Sequence, residues 1–340
     1  MLNSQTVKME PLNPSPLVVE LITGGTRGLQ RDAEVVARVL DPYCQTAINI
    51  SRIRNCHLLH RRWLKALANR VVKVRRVVLF FEILPTAWTG VGKLNILIPN
   101  QEWVRASLLK HISSCFQLWC KTNYATELFT RMGYNTRYIG FSSKDMYCSS
   151  SSKDYNRFIH VAGRSHMKGT RSVLELWRRH AEWPPLVVVS SDLRWQQYAS
   201  HNITIRGDRV NDRELRAMMN FCGVHLCPSE TEGFGHYISE GLSTKALIIS
   251  VDAPPMNELV CRNFGLLAKY KQVEQMGIGE RFIVDPVDLE HQVEAAIKLS
   301  TANKAAFGEI ARREYLRRSE AFKENLYNAF VTVCEQMRCV

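Results

Sequence analysis

Two α/β domains, each a parallel sheet with helices on both faces, are predicted by three features of this 340-residue sequence. Short apolar runs of strand length alternate with segments of helical periodicity, in two successive series, and such alternation builds parallel sheets. A serine-rich stretch, "SSSSK" at 149–153, separates the two series. The length also exceeds the roughly 250 to 300 residues that one hydrophobic core fills. The domains are accordingly drawn as residues 1–150 and 151–302, with a charged helical segment, 303–340, bracing both.

In the first series "PLVVELIT" (16–23) reads as a buried strand, "GGTRG" as a glycine turn, and "LQRDAEVVARVL" as a helix with apolar residues at helical spacing. Strands follow at "TAINI", "RRVVLFFEIL", "LNILIP" and "FQLWCKT", and "NYATELFTRMG" is a helix ending at Gly133. In the second series "NRFIHVAG", "PPLVVVSS", "GVHLCPS" and "ALIISVD" are strands. The helices between them are "GTRSVLELWRRHAEW", "DRELRAMMNFC" and "YISEGLSTK".

Composition excludes several classes. Apolar residues make up 46% and charged residues 23%, the mix of a globular protein rather than a disordered one. No run approaches the roughly 18 to 20 apolar residues of a membrane span, and "MLNSQTVKMEPLNPSP" lacks the apolar centre of a secretion signal. The expected location is the cytoplasm, or the periphery of the inner membrane face. The ten cysteines form no C-x-x-C pair, and Cys222 and Cys227 around His225 fit no zinc pattern, so reduced, buried thiols are expected.

The net charge of +13 is unevenly placed. Residues 1–150 carry 20 Lys or Arg against 9 Asp or Glu, while 151–340 carry 25 against 23. From Pro42 to Phe81 there is no acid, yet the stretch holds Arg61, Arg62, Lys65, Arg70, Lys73, Arg75 and Arg76. Such a field attracts polyanions.

Three stretches carry the chemistry. In "CPSETEGFGHYISEG" (227–241), glutamates at 232 and 240 flank a Gly233-Phe234-Gly235 turn that follows a strand and enters a helix. Glycines there let the backbone approach a phosphate, and the first helical turn, from about His236, offers free amides to an anion. A carboxylate one turn deeper, at Glu240, can accept both hydroxyls of a ribose, and Glu232 can reach a sugar. Taken alone, the pattern equally fits a glycine turn with solvent-facing glutamates. In "VAGRSHMKGT" (161–170), Arg164 and Lys168 stand at another strand end, a fork and a point charge suited to a diphosphate or to ordinary surface charge. In "IRGDRVNDRELRAMM", a strand and Gly207 lead to a helix capped by Asn211 or Asp212, across a loop on which a base can stack.

The order "HVAGRSHMKG", "RGDRVNDREL", "CPSETEGFGHYISEGLSTKALIISVDAPPMNELV" resembles the donor half of glycosyltransferase family four, specifically over about 155–262 and more loosely over the whole chain. The resemblance implies the GT-B fold, two Rossmann-like domains facing a cleft, and transfer that retains the sugar's anomeric configuration. It assigns the donor's diphosphate to Arg164 and Lys168, its ribose to Glu240, and the transferred sugar to Glu232 with the backbone around Phe234 and Gly235. The turn Gly24-Gly25 would meet the diphosphate from across the cleft. Two departures stand out: Arg164 and Lys168 are four apart where the family pattern has five, and "HYIS" follows Gly235 where a small or apolar stretch is usual. The second departure points His236 at the sugar.

The reaction expected is transfer from a UDP- or GDP-sugar to an acceptor hydroxyl. The fixed cations and a helix N-terminus stabilise the leaving diphosphate, so no metal or other cofactor is required. Glu232 is read as positioning sugar hydroxyls rather than as a covalent nucleophile, which would have to lie under the anomeric carbon. Acceptor candidates at strand ends are Glu82, Asn100, Glu102, Lys121 and Thr122, each equally suited to a cap or turn, joined by the basic segment "HLLHRRWLKALANR" with Arg61, Arg62, Lys65 and Arg70, which also fits a solvated helix packed on its sheet, and by Arg75. A lipid-linked or cell-envelope saccharide fits that charge, as does DNA bearing hydroxymethylated bases. A third reading is a catalytically silent GT-B protein that binds nucleic acid or a partner, against which the intact Arg164, Lys168, Glu232 and Glu240 set argues. No obligate protein partner is evident.

Overall fold

The computed structural model describes residues 17–50, 75–85, 88, 91–92, 94–104, 106–112, 116–207 and 210–337. Arg61, Arg62, Lys65 and Arg70 lie outside the described residues, as does the side chain of Arg75.

The first sheet contains β1 (Leu17–Thr23), β2 (Gln45–Ile50), β3 (Arg75–Phe81), β4 (Leu94–Ile98), β5 (Phe116–Cys120) and β6 (Thr136–Tyr138). All are parallel, in the order β2-β1-β3-β4-β5-β6. β6 was not foreseen; three residues are too few to show a period. The helices here are α1 (Arg27–Leu40), α2 (Ala106–Leu109) and α3 (Asn123–Arg131), with a 3-10 turn at Gln101–Trp103. Thr26 caps α1 by accepting from Leu29 N, and Leu29, Ala33, Val36, Ala37 and Leu40 form its buried stripe. Asp32 is buried on the same side.

The second sheet contains β7 (Asp154–Gly163), β8 (Leu186–Ser190), β9 (Ile203–Arg206), β10 (Cys222–Cys227), β11 (Leu247–Val251) and β12 (Gly265–Ala268). It too is parallel, in the order β12-β11-β10-β7-β8-β9. Its helices are α4 (Thr170–Arg179), α5 (Asp212–Phe221), α6 (His236–Ser243), α7 (Met256–Leu259) and α8 (Pro286–Lys298). α5 starts at a capping box, with Asn211 accepting from Glu214 N and the Glu214 side chain returning to the Asn211 N–H. An antiparallel hairpin, β13 (Tyr270–Met276) and β14 (Gly279–Val284), follows β12 and was not foreseen. β13 is mostly polar and exposed, and only Phe282, Ile283 and Val284 of β14 form an apolar run, which hides the hairpin from a search for longer ones.

The order of each sheet reverses once: between β1 and β3 in the first, and between β7 and β10 in the second. At such a switch point the loops leave the strands' carboxyl ends in opposite directions and open a crevice. The sequence "GGTRG" follows β1, "RSHMKG" follows β7, and "PSETEGFG" follows β10. All three loops stand at switch points.

The chain ends in α9 (Thr301–Gln336), 36 residues capped by Ser300. It packs on α6 and β11 and also on α1 of the first half. Phe322 meets Phe141 at 4.9 Å, Phe141 meets Phe234 at 5.4 Å, and Tyr327 meets Tyr43 at 4.8 Å, so one core runs through both halves. Gly308 lets α9 lie on the chain at Lys245: a Cβ added there would stand 2.1 Å from the Lys245 carbonyl oxygen. Gly308→Leu is therefore expected to destabilise by more than about 1 kcal/mol, because overpacking against backbone finds no rotamer to relax into. A melting temperature equal to that of the wild type would mean that α9 lifts freely from Lys245. Among the described residues no helix is long and apolar enough to cross a membrane.

Candidate active site at the two switch points

The loops after β7 and β10 bring Lys168 and Glu232 together. The Lys168 ammonium donates to Glu232 Oε1, and Ser229 Oγ donates to the same oxygen at 2.5 Å. Lys168 Nζ also lies over the Tyr237 ring, 3.8 Å from its centroid. Arg164 stays exposed at the loop's start, its Nε donating to Ser191 Oγ at 3.3 Å. The sequence placed Lys168 on a phosphate and Glu232 on a sugar; in the structure each is the other's counter-ion.

Gly235 starts α6 with φ of 102°, a left-handed conformation that glycine adopts without strain. Gly233 is needed for a different reason: a Cβ there would lie 2.2 Å from Asn100 Oδ1 of the first half. Phe234 is buried, edge-on to Phe141 and to His236. Glu240, in the second turn of α6, is buried, and burial pushes its carboxyl above the usual range even though Arg31 and His236 oppose it. Its Oε1 accepts from Arg31 Nη1 at 3.4 Å, a cation supplied by α1 across the crevice.

Both ring nitrogens of His236 are already engaged. Nε2 is 2.6 Å from Asp32 Oδ1 and Nδ1 is 2.8 Å from Ser143 Oγ. The sequence pointed His236 at a sugar; in the fold its ring lies between Asp32 of α1 and Ser143. Asp32 is held on its other oxygen by Lys121 Nζ at 2.7 Å, both side chains being at least 96% buried. Burial would raise the Asp32 carboxyl, but Lys121 and His236 outweigh it and hold it below the usual range.

The strand-end candidates of the first half divide. Lys121 also donates to Asn100 Oδ1, and Asn100 Nδ2 donates to Glu82 Oε2 at 2.8 Å, so Glu82, Asn100, Lys121, Asp32 and His236 form one chain of contacts. Thr122 caps α3, accepting from Ala125 N. Gln101 Nε2 donates to the Glu232 carbonyl at 2.6 Å. Gly25 and Gly207 are open, with nothing within 4 Å of an added Cβ, and residues 208–209 of the expected base loop lie outside the described residues.

Glu102 is buried in the 3-10 turn under the tip of the β13–β14 hairpin, and among the described residues its Oε2 has no hydrogen-bond partner. Burial pushes its carboxyl up to about 8. Below about 4.5 folded and unfolded chains both hold the proton; between 4.5 and 8 only the folded chain does, so stability falls as pH rises through that window. Glu102→Gln should flatten this fall, worth at most about 1.4 kcal/mol per pH unit. Melting temperatures from pH 5 to about 8.5 check it: identical slopes in variant and wild type would mean that Glu102 ionises freely.

Asp32, Arg31, Gln101, Ser143, Tyr237 and Glu258 were missed. Glu258, from α7, accepts from Asn123 N at 2.8 Å and Tyr124 N at 2.7 Å, closing the N-terminus of α3 across the crevice. Of these, Asp32 left a trace in the sequence as an acid on the apolar stripe of a helix, and Tyr237 as part of the unusual "HYIS" segment. Among the described residues no group of three or more His, Cys, Asp or Glu is placed to hold a metal ion, and the described cysteines are free thiols.

Two parallel six-stranded sheets with their switch points face to face, joined by a final helix, are the GT-B architecture. The chain superposes on a glycosyltransferase from Rickettsia africae ESF-5 with a TM-score of 0.66 and 14% identity, over 95% of this chain and 99% of that one. It superposes on Anabaena Alr3699/HepE in complex with UDP and glucose with a TM-score of 0.67 and 13% identity, over 94% and 100%. For Alr3699/HepE in complex with UDP-glucose the values are 0.60 and 12%, over 93% and 99%. Residues 148–304, just under half of the chain, match the family model described as glycosyl transferases group 1. No curated protein matches the chain in sequence. By fold this is a GT-B protein, and the half that carries Arg164, Lys168, Glu232 and Glu240 is similar to the group 1 glycosyl transferases.

Proposed function

We propose that the protein is a retaining, metal-independent glycosyltransferase of the family-four type, moving a sugar from a nucleoside diphosphate sugar to the hydroxyl of an anionic acceptor. The observation that carries this reading is the convergence of Lys168, Glu232, Glu240 and the start of α6 at one switch point, opposite the glycine turn after β1. In the reaction the bond from the anomeric carbon to the diphosphate breaks and its electron pair stays on the phosphate oxygen. Lys168, Arg164 and the amides at the start of α6 stabilise that charge. The acceptor oxygen bonds to the same face of the carbon, and its proton passes to the departing phosphate oxygen. Glu240 takes the ribose and Glu232 the transferred sugar's hydroxyls. UDP is the nucleotide to test first, because solved structures of the similar Alr3699/HepE hold UDP and UDP-glucose.

The test is a melting-temperature screen with UDP, GDP and their sugars, followed by turnover with and without a chelator. Stabilisation by one diphosphate and chelator-insensitive turnover are expected. No response to any nucleotide would leave a silent scaffold.

The acceptor reading rests on the basic stretch that includes Arg61, Arg62, Lys65 and Arg75. Reversing several of these charges should impair transfer to the natural acceptor and spare slow hydrolysis of the donor, since hydrolysis needs only the donor site and water. Transfer by the wild type should also fall steeply with salt, because exposed charges are screened within about 10 Å at 0.1 M. A fall governed by the fraction of anionic lipid would identify a membrane-borne saccharide, with the enzyme working in the cytoplasm at the inner membrane face. A log-linear fall on duplexes would identify DNA. A flat response would point to a small neutral acceptor.

A further inference from the structure

Lys168 has three N–H donors and Glu232 a second carboxylate oxygen, so each has bonding capacity beyond their ion pair. Nucleotide-sugar binding asks the ammonium to face a phosphate and the carboxylate to face sugar hydroxyls, so the ammonium has to be held in place while its remaining N–H bonds turn to the donor. Beside Glu232, Lys168 faces the Tyr237 ring, 3.8 Å from its Nζ.

Tyr237 is well placed for this. It lies in the first turn of α6 with 6% exposure, and its hydroxyl is 2.7 Å from Ser229 Oγ, itself fully buried. Ser229 has one proton, which it gives to Glu232, so in that pair the Tyr237 hydroxyl is the donor. Four groups thus close a ring: Tyr237 hydroxyl to Ser229, Ser229 to Glu232, Glu232 to Lys168, and Lys168 back to the Tyr237 ring. Tyr237 also stands in the "HYIS" segment, where the family resemblance leads one to expect a small or apolar residue. Its hydroxyl orients the carboxylate's partner while its ring faces the cation.

We propose that Tyr237 is a positioning residue whose ring face keeps the Lys168 ammonium in register with the donor's diphosphate. The inference rests on the donor-site reading above. An ammonium over a desolvated aromatic face is held strongly enough to matter, whereas an aliphatic side chain of similar volume would pack the same space without attracting the charge.

The experiment measures dissociation constants for UDP and UMP, or for GDP and GMP if the wild type prefers guanine, in the wild type, Tyr237→Phe and Tyr237→Leu. Tyr237→Leu should weaken the diphosphate roughly 5- to 30-fold while leaving the monophosphate within about twofold, and Tyr237→Phe should lose no more than about threefold. Phenylalanines carrying increasing numbers of fluorine atoms at position 237 keep the shape and drain the ring's negative face, so diphosphate affinity should fall stepwise. Equal losses for diphosphate and monophosphate, or a flat fluorine series, would reduce Tyr237 to a packing residue and overturn the proposal. A wild type that binds no nucleoside diphosphate would overturn the donor reading itself, a result the fluorine series cannot mimic.

Discussion

Lys168→Ala is expected to lower kcat about 100-fold or more, the cost of removing a preorganised positive group from a leaving oxyanion. The charge matters most when the bond to the diphosphate is breaking, so the loss should appear in kcat and in kcat/KM alike. Lys168 is also the counter-ion of Glu232, and its removal leaves that carboxylate with the Ser229 hydroxyl but without its cation. Some stability is therefore lost as well, and Lys168→Met separates the two effects because it fills the space over the Tyr237 ring without the charge. Turnover within about threefold of wild type would show that the loop, one residue shorter than the family pattern, carries Lys168 away from the phosphate.

The second large effect belongs to Glu240. Glu240→Ala should weaken nucleoside diphosphate binding roughly 10- to 100-fold, the range expected for a lost hydrogen-bonding partnership with an ionised group, about 1.5 to 3 kcal/mol. The contact is sharpened by burial, since a carboxylate with little water around it gains more from two hydroxyl donors than an exposed one. It also has a neighbour, Arg31, whose guanidinium lies 3.4 Å from one Glu240 oxygen. Comparing UDP with its 2′,3′-dideoxy analogue makes the test specific. The wild type should discriminate between them and Glu240→Ala should not; discrimination that survives would place the ribose elsewhere.

The strands were legible because their apolar runs are what a sheet covered on both faces requires. "PLVVELIT" became β1 and "GVHLCPS" became β10, each within a residue or two at its ends. The same logic failed for the β13–β14 hairpin, because β13 is largely polar and exposed and the apolar run of β14, Phe282, Ile283 and Val284, is only three residues long. Gly233 and Gly235 announced a turn with close backbone approach, and the fold uses both, one against Asn100 and one to start α6. His236 was expected at the sugar because a histidine beside a phosphate-type turn looks like a ligand group, and the structure adds ring partners that the sequence does not show. Nothing nearby in sequence reveals that Asp32, 204 positions away, takes its Nε2.

By itself, then, the order of strands, glycine turns and charged residues determined two parallel sheets and the residues gathered at their carboxyl ends, because those are local properties of period, turn geometry and helix start. Which charge faces which was decided only by the tertiary structure. Arg31 reaches Glu240, Asp32 reaches His236, and Lys168 settles between Glu232 and the Tyr237 ring because α1, α6 and the two loops are brought together by a core that runs from one sheet through α9 to the other. Electrostatic partnership depends on distance and on exclusion of water, and neither quantity is written along the chain.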